Sequence, residues 1–409
     1  MKYPKLLSTE INIEKLVPGG QGIGALEDGK KVFLWNVLPD ETVTEFEVTK
    51  TKSHYLEGVV TKIKNPSKHR VAPKDACFLS TSPWQIFDFA CELEQKQALV
   101  EESLRQEKLE GLNVESVRTD DKEWFYRNKM EYALYYDYDQ SKILPAFHRR
   151  GTHGKIPIKN SSIERPEIFK KAKEIIDELN AKGEEARKYQ SLLLRTNQNG
   201  VVSGGLFENK KPHPVFENLT DDILGREYSY SPNGFFQINL PVYELALKEI
   251  EREIKTEKVL DLYSGVGTIG LSVARNKRLT LVECDKSAFR ELETNAKEAR
   301  VKNATPIGVA PLLQFPRAFC AKSEAALDYI EPDETVILDP PRAGCDKKLL
   351  EKLLEETPEK IIYLSCNPST QARDVKVLSE KYLIERIIPF DFFPKTPHIE
   401  NLIILKKVL

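Results

Sequence analysis

The sequence predicts an α/β protein with three parts: an N-terminal OB-like β-barrel, a central α+β domain and a C-terminal Rossmann-like domain. Its 409 residues exceed the size of one ordinary domain. The first 65 residues consist of short strand-like runs separated by turns, whereas short apolar runs alternate with helical segments from about residue 220 onward. We therefore expect domains at residues 1–65, 66–220 and 221–409.

The composition is typical of a globular protein that folds in water. Hydrophobic residues make up 40% of the chain, which is enough for a sizeable core. No apolar run approaches the roughly 18 residues needed to span a bilayer, and no secretory signal is present at the N-terminus. We expect a cytoplasmic protein with no membrane partner and no obligate protein partner. The net charge of −2 argues against electrostatic binding of nucleic acid by the whole protein surface. A local basic face would be enough for such binding.

The N-terminal region contains four strand-like runs, INIEKL, KKVFLW, ETVTEFEVTKT and YLEGVVTKI. They mix β-branched and charged residues, and the stretch PGGQGIGALEDGKK supplies glycines for turns. Short strands at this spacing predict a small closed barrel. The glycines of GGQGIG are interpreted as a hairpin loop, because no helix follows as a dinucleotide-binding fingerprint requires.

The central region begins with a helical pattern, FACELEQKQALVEESLRQEKLEGL, which stops at Gly111. A tyrosine-rich, strand-like stretch follows, and then a basic one. Aromatic rings can stack on bases and cations can bind phosphates, so this region is a candidate RNA surface, although a solvated charged face is an open alternative. Between Asp139 and Lys159 this stretch holds Lys142, His148, Arg149, Arg150, His153, Lys155 and Lys159.

The first two strands of the C-terminal region end in features that suit a nucleoside-containing ligand. The first ends in DLYSGVGTIGL, a glycine-rich turn where backbone N–H groups can approach a ligand closely. The second ends in Glu283, and a carboxylate at that position suits the two hydroxyls of a ribose. These two signals fit S-adenosylmethionine (SAM) and NAD equally.

Three further residues point to methyl transfer onto a pyrimidine. ILDPPRAG places Asp339 in a rigid turn, and YLSCNPSTQARD exposes Cys366 beyond a buried strand, where helix N-terminal donors should favour its thiolate. FPKTPHIE places Glu400 before the final strand. A thiolate that adds to C6 of a pyrimidine makes C5 able to attack a methyl group, and a base must then remove the C5 proton. Alone, Cys366 would be interpreted as a packed strand-end residue and Glu400 as surface decoration.

These motifs together resemble the RNA uracil-C5 methyltransferase family over nearly the whole chain. YRNKMEY resembles the central signature of that family, and SPNGFFQIN, DLYSGVGTIGL, ILDPPRAG, LSCNPSTQARD and FPKTPHIE follow in the family's order, while residues 1–65 resemble a TRAM domain. The resemblance implies a methyl transfer from SAM to uridine in rRNA or tRNA, with Cys366 as nucleophile and Glu400 as proton acceptor. It also implies a SAM site made by Gln237, Tyr263, Thr268, Glu283 and Asp339, and a Thr268 that stands where many relatives carry Asn.

The chain departs from its relatives at an iron–sulfur site. Many relatives carry a C…CGGC pattern with a fourth cysteine downstream, but here only Cys77 is present. TSPWQ, from Thr81 to Gln85, stands where CGGCQ would be, and Ser161 or Ser162 falls near the fourth position. One thiolate cannot hold a cluster that needs four, so we predict no iron–sulfur cluster and no other metal. IGVAPLL at 307–313 also lacks the carboxylate expected after the third strand of the sheet.

Two alternatives remain open from the sequence. The first is an RNA cytosine-C5 methyltransferase, which typically carries a second cysteine beside the DPP-like motif. In this chain the nearest candidate, Cys345, lies beyond the turn. The second is an RNA-binding protein that keeps the methyltransferase fold without its activity.

Overall fold

The computed structural model describes residues 5–151, 154–213, 216–303, 316–320 and 327–408. His153 and the 307–313 segment therefore lie outside the described residues. Within these ranges, no helix combines the length and the apolar character that crossing a membrane would need.

The N-terminal region forms a six-stranded sheet in the order β1-β5-β6-β4-β3-β2. The sheet curls until its two sides meet: a Cβ on Gly24 would lie 2.8 Å from the carbonyl oxygen of Asn12. Val32, Leu34 and Phe46 fill the interior. This arrangement agrees with the predicted barrel. The strands are β1 (Leu6–Asn12), β2 (Lys15–Leu16), β3 (Gly22–Ala25), β4 (Lys31–Trp35), β5 (Thr42–Thr51) and β6 (Tyr55–Asn65).

The central region contains an antiparallel sheet covered on one face by a helix. The sheet order is β12-β11-β10-β7-β8-β9, and the helix α3 packs Ile168, Ala172 and Ile176 against it, a spacing of about one turn. The elements are α1 (Phe78–Thr81), α2 (Phe89–Gln106), β7 (Lys129–Asp137), β8 (Lys142–His148), β9 (Lys155–Pro157), α3 (Pro166–Ala181), β10 (Ser191–Thr196), β11 (Val202–Glu208) and β12 (Lys211–His213), with a 3₁₀ turn at Ala186–Lys188.

Helix α2 packs against the C-terminal domain rather than against the central sheet. Asp88 caps its N-terminus by accepting a hydrogen bond from the backbone N–H of Cys91 (2.8 Å). Val100 and Leu104 of the helix belong to the same hydrophobic cluster as the strands of the C-terminal sheet. The helix ends at Gln106, five residues before the predicted stop at Gly111. A helix of the central region thus covers part of the C-terminal domain.

The C-terminal region is a seven-stranded sheet in the order β17-β16-β15-β18-β19-β21-β20. The first five strands of that order are parallel, and β21 is antiparallel to both of its neighbours. The elements are β13 (Leu219–Ile223), β14 (Arg226–Tyr230), α4 (Leu240–Glu253), β15 (Lys258–Leu262), α5 (Thr268–Val273), β16 (Arg278–Glu283), α6 (Lys286–Asn303), β17 (Arg317–Cys320), β18 (Glu334–Leu338), α7 (Lys347–Glu356), β19 (Lys360–Ser365), α8 (Pro368–Leu378), β20 (Tyr382–Phe390) and β21 (Glu400–Lys407), with a 3₁₀ turn at Leu327–Tyr329.

The strand order locates the ligand-binding edge of this sheet. Chain connections run in opposite directions from β15, towards β16 on one side and β18 on the other. In open α/β sheets ligands bind beyond the carboxyl ends of the strands at such a switch point. All five residues of β18 are buried because both faces of the sheet are covered, so only the strand ends can present polar groups to a ligand.

Candidate active site

The sheet register brings the predicted site residues to one edge. Leu262, at the end of β15, pairs with Val282 on one side and with Leu338 on the other, and Leu338 pairs with Tyr363. The residues that follow these positions therefore share the carboxyl edge of the sheet. Tyr263, Glu283, Asp339 and Cys366 all lie at or just beyond it.

Cys366 and Glu400 face each other across two adjacent strands. Ser365, the last residue of β19, pairs with Asn401 of the antiparallel strand β21. The next residue on each strand is Cys366 and Glu400, respectively. Cys366 is partly buried, and Glu400 is buried at 5% exposure. The two groups that the covalent chemistry needs are thus held by backbone pairing.

The surroundings of Cys366 favour the neutral thiol. Burial raises its pKa to about 11, and the carboxylates of Glu400 and Asp339 add to this effect, whereas Arg342 opposes it. The prediction that local donors would favour the thiolate is therefore wrong. Desolvation and the two carboxyl groups outweigh the helix N-terminus.

The carboxyl groups of Glu400 and Asp339 both lie near Cys366. Burial raises the pKa of Glu400 well above its usual range, with Asp339 adding to the rise and Arg342 opposing it. Burial also raises the pKa of Asp339 to about 7. Like charges in a desolvated site cannot easily ionise together, so ionisation of one carboxyl group disfavours ionisation of the other.

Arg342 is a member of the site that sequence reasoning missed. Its side chain acts electrostatically on both Cys366 and Glu400. Its backbone carbonyl is fixed by the side chains of Asn367 (2.9 Å) and Thr370 (3.1 Å). The sequence feature that could have identified Arg342 is its position directly after the two prolines of ILDPPRAG. An arginine at that position can stabilise negative charge on the thiolate.

The glycine-rich turn is shaped for close approach by a ligand. Tyr263 and Gly267 both have positive φ, 63° and 91°, and Gly267 caps helix α5. A Cβ at Gly267 would lie 2.6 Å from a methyl carbon of Leu292 and 2.8 Å from one of Leu271. Only glycine therefore fits this turn. The tight turn keeps the N-terminus of α5 beside the ends of β15 and β16.

Glu283 is held at the end of β16 by backbone donors. One carboxylate oxygen accepts the N–H of Gly265 (2.8 Å), and the other accepts those of Cys284 and Asp285 (both 2.7 Å). These bonds orient the group and leave further lone pairs for ligand hydroxyls. Glu283 also acts electrostatically on the buried Asp261, as does Asp339, which links the two ends of the pocket.

Thr268 and Gln237 differ in whether their side chains still have hydrogen-bonding groups available for a ligand. The hydroxyl of Thr268 is hydrogen-bonded to that of Tyr243 (2.8 Å), so its side chain is already engaged. The backbone of Gln237 is anchored by the amide of Asn128 (3.0 Å), but its own side-chain amide has no hydrogen-bond partner within the described ranges. Gln237 is 7% exposed as a residue, and this amide can still pair with a ligand.

His398, which the sequence places beside Glu400, lies close to several cations. His398 is exposed to solvent as a whole residue, and desolvation of its imidazole together with the charges of Arg342 and Lys96 lowers the pKa of the ring. The ring is therefore neutral at physiological pH. A neutral ring would not compete with Arg342 as a positive charge near Cys366.

The residues around Cys77 do not fit an iron–sulfur cluster. Asp75 accepts hydrogen bonds from the hydroxyl of Ser162 (2.7 Å), from its backbone N–H (2.8 Å) and from the amide of Gln85 (2.8 Å). Burial raises the pKa of the Cys77 thiol to about 11. Across the described ranges, no group of three or more His, Cys, Asp or Glu residues could hold a metal ion. The absence of a cluster stays a prediction.

The basic stretch of the central region is only partly available to RNA. The guanidinium of Arg150 lies 4.1 Å from the ring centroid of Trp35 and donates to the carbonyl of Leu79. The side chain of Arg150 joins the barrel to the central domain, and its role as a phosphate contact stays a prediction. Lys155 donates to the carbonyl of Leu134 (2.8 Å), while Lys142 and Lys159 are exposed.

Cys345 does not provide a second nucleophile. It is 6% exposed and packs in the cluster that contains Leu349. Its backbone N–H donates to Asp374 (2.8 Å), and burial raises its thiol pKa to about 12. Cys345 is therefore not placed as a second nucleophile beside Cys366, which removes the main structural support for the cytosine-C5 alternative.

Comparisons with known proteins agree with this geometry. The tRNA (uracil-5-)-methyltransferase family model matches residues 215–408, and the TRAM domain model matches residues 9–61. An uncharacterised RNA methyltransferase of Enterococcus faecalis is 29% identical, with 100% of this chain and 99% of the relative covered. One of Fusobacterium nucleatum is 28% identical, with 96% and 94% covered.

A solved structure shares the fold along the whole chain. The tRNA (uracil-54, C5)-methyltransferase of Pyrococcus abyssi, solved with S-adenosyl-L-homocysteine, is 24% identical with a TM-score of 0.72. It covers 97% of this chain and 100% of its own. The barrel, the central antiparallel sheet and the C-terminal mixed sheet of this chain are thus those of a SAM-dependent RNA methyltransferase. The chain belongs to the RNA uracil-C5 methyltransferase family and carries an N-terminal TRAM domain. The predicted fold class and family are confirmed.

Proposed function

We propose that this enzyme methylates C5 of one specific uridine in tRNA or rRNA through a covalent bond between Cys366 and C6 of the base. The observation that carries the proposal is the placement of Cys366 opposite Glu400, with Asp339 and Arg342 beside both. A nucleophile, a base and a cation in one desolvated pocket are the groups that this reaction needs.

The reaction begins with Cys366. Once the thiol proton has left to solvent, Arg342 stabilises the thiolate, and its sulfur forms a bond to C6 of the uracil. The electron pair of the C5–C6 double bond moves towards C5 and the neighbouring carbonyl, which makes C5 nucleophilic. Bound SAM supplies an electrophilic methyl group for that carbon.

Glu400 completes the reaction. Its carboxylate accepts the C5 proton, and the pair of the C5–H bond restores the C5–C6 double bond. The bond between sulfur and C6 breaks, and its electron pair returns to Cys366. Both residues act in their deprotonated forms, and burial raises both pKa values. We therefore expect the rate of methyl transfer to increase with pH from neutral to alkaline values.

Five residues are proposed to hold SAM at the switch point of the sheet. Glu283 suits the ribose hydroxyls, the side-chain amide of Gln237 can pair with polar groups of the amino-acid part, and Tyr263 lies at the turn beside Glu283. Thr268 helps to hold the turn through Tyr243. Asp339 follows β18, the strand between β15 and β19, and it acts electrostatically on both Asp261 and Cys366.

RNA binding is assigned to the first two regions. We propose that the barrel at 1–65 and the central domain at 66–220 bind RNA, and that residues 221–409 carry the chemistry in the cytoplasm. The Pyrococcus abyssi protein acts on uracil-54 of a tRNA, which makes tRNA the first fraction to examine. Exposed Lys142 and Lys159 are candidate phosphate contacts.

The test uses labelled SAM with total RNA from cells that lack the protein. tRNA and rRNA are separated after the reaction and digested to nucleosides. We expect label in 5-methyluridine, and the fraction that carries it identifies the substrate. Label in 5-methylcytidine would refute the assignment to uracil. SAM binding without any label in RNA would instead indicate a protein that has kept the fold without the activity.

A further inference from the structure

The loop at 391–399, here called the catalytic loop, runs directly into Glu400. Helix α2 holds this loop through buried charges. The ammonium of Lys96 is 2.5 Å from a carboxylate oxygen of Asp391 and 3.1 Å from the carbonyl of Phe393. Glu92 accepts the backbone N–H of Lys395 (2.6 Å). Lys96, Asp391 and Glu92 are fully buried, and Lys395 is 1% exposed.

The backbone of the catalytic loop takes a conformation that its neighbours must enforce. Lys395 has a φ of 63°, which is uncommon for a residue with a side chain. Its ammonium pairs with Glu92 (3.2 Å) and Glu123 (2.6 Å). Its carbonyl accepts the backbone N–H of Trp84 (3.1 Å). Residues of the central region thus fix the loop in this conformation.

The N-terminal barrel also contacts this loop, through the turn at Val17–Gln21. The backbone N–H of Gly20 donates to the carbonyl of Val17 (2.8 Å), and its carbonyl accepts the indole N–H of Trp84 (3.2 Å). A Cβ on Gly20 would lie 2.7 Å from Cγ of Pro397 and still closer to its Cβ. The glycine turn that the sequence marks only as a hairpin loop therefore packs against the catalytic loop, three residues before Glu400.

We propose that Gly20 and Trp84 are positioning residues that set the place of Glu400 through Pro397, so that the barrel supports removal of the C5 proton. This inference rests on the proposed function. Trp84 is 2% exposed and touches both the barrel turn and the loop, which makes it the bridge between them. A displacement at Pro397 would reach Glu400 through two residues, one of which, Ile399, is buried. Small misplacements of catalytic groups cost large factors in rate.

The reaction step in which Glu400 acts determines what should be observed when the contact of Gly20 and Trp84 with the catalytic loop is disturbed. Glu400 acts after the bond between Cys366 and C6 has formed. If this contact is disturbed, the covalent complex between Cys366 and the RNA should still form, but the bond between sulfur and C6 should break slowly. A loss of RNA or SAM binding would instead be the signature of general damage to the fold. Accumulation of the protein–RNA complex therefore separates a positioning role from a merely structural one.

Gly20→Ala and Gly19→Ala form a matched pair for the test. Gly19 also has a positive φ, 99° against 90°, but a Cβ there would meet nothing within 4 Å among the described residues. Both variants thus strain the backbone similarly, and only Gly20→Ala presses on Pro397. Turnover, KM for total RNA from cells lacking the enzyme, SAM affinity, Tm and the denaturant-resistant protein–RNA complex are measured for the native protein and for each variant.

We expect Gly19→Ala to behave like the native protein. Gly20→Ala should lower kcat by about 10- to 100-fold, with KM and SAM affinity within about twofold and with more covalent complex. Equal kcat in the two variants, or a lower kcat with no accumulation of the complex, would overturn the inference. A native protein that forms no 5-methyluridine would refute the proposed function itself.

Trp84→Phe keeps the test decisive if Gly20→Ala does not fold. This variant retains an aromatic ring but removes the N–H that donates to the carbonyl of Gly20. We expect kcat to fall about 3- to 10-fold, as for the loss of one hydrogen bond, again with accumulation of the covalent complex. Unchanged turnover in a folded Trp84→Phe protein would refute the bridging role.

Discussion

Cys366 and Glu400 are cross-strand neighbours, one residue beyond the last backbone pair of β19 and β21, Ser365 and Asn401. The sheet therefore sets the backbone register that brings the two residues opposite each other. Rigid elements hold catalytic groups more accurately than loops do. This geometry makes the roles of the two residues separable by mutation, because either side chain can be changed while the backbone pairing remains.

Glu400→Gln should trap the enzyme on its RNA. The amide cannot accept the C5 proton, so the bond between Cys366 and C6 forms and cannot break. We expect a denaturant-resistant protein–RNA complex on gel electrophoresis and at least about a 100-fold loss of turnover. The double variant Cys366→Ala, Glu400→Gln is the control and should form no such complex while still binding SAM. If Glu400→Gln turned over normally, another group would have to be the base.

Arg342→Met should make Cys366 less reactive. Arg342 lowers the pKa of the thiol, which burial raises to about 11, so loss of the cation should raise that pKa further. The thiolate is the reactive form, and the rate of alkylation rises with pH towards the thiol pKa. We expect alkylation of Cys366 by iodoacetamide at pH 8, followed by mass spectrometry of its peptide, to slow about 3- to 10-fold.

Lys347→Met is the control for that experiment. It removes the same charge from the exposed start of helix α7, where Lys347 pairs with Glu351. The alkylation rate of Cys366 should stay at the native value. Asp339→Asn should act in the opposite direction to Arg342→Met, because Asp339 raises the thiol pKa. Equal rates in Arg342→Met and Lys347→Met would show that Arg342 does not stabilise the thiolate.

Gln371→Leu should destabilise the fold beside the site. The amide of Gln371 donates to the carbonyls of Tyr363 (2.8 Å) and Asn401 (2.9 Å) and accepts the side-chain N–H of Asn401 (2.7 Å). Gln371 is fully buried, and leucine would leave these groups without their partners. We expect the free energy of unfolding in urea to fall by about 2 to 3 kcal/mol.

An exposed residue of the same helix provides the comparison for Gln371. Lys376→Leu changes a charged residue on the solvent face of α8. Its free energy of unfolding should stay within about 0.5 kcal/mol of the native value. If both leucine variants unfolded like the native protein, the buried amide network would not contribute to the junction of α8 and β21.

The sequence predicts the ends of strands better than it predicts contacts between distant segments. Glu283, Asp339 and Cys366 could be placed at one edge because alternation of apolar strands and helices indicates where each strand ends. The contact of Gly20 with Pro397 joins residues from opposite ends of the chain. Neither residue has a local pattern that indicates its partner, so only the folded structure reveals it.

Charge patterns were similarly ambiguous. Arg150 belongs to a basic stretch that suits RNA, yet its guanidinium stacks on Trp35. Arg342 stands in a turn motif that is marked by its prolines and aspartate, yet its charge acts on the nucleophile. A cation in a sequence can face solvent, a ring or a thiolate. Which of these occurs depends on tertiary packing, which local patterns do not encode.

Arg150→Met should weaken the fold rather than the electrostatic attraction to RNA. The stacking on Trp35 and the hydrogen bond to Leu79 would be lost, so we expect the free energy of unfolding to fall by about 1 to 2 kcal/mol. The slope of log K for RNA against log salt concentration should stay unchanged, because this guanidinium neutralises no phosphate. Lys159→Met, at an exposed position, should instead reduce the slope by roughly 0.7 to 0.9 with native stability. A shallower slope in Arg150→Met would show that Arg150 does contact RNA. The contact with Trp35 would then have to open when RNA binds.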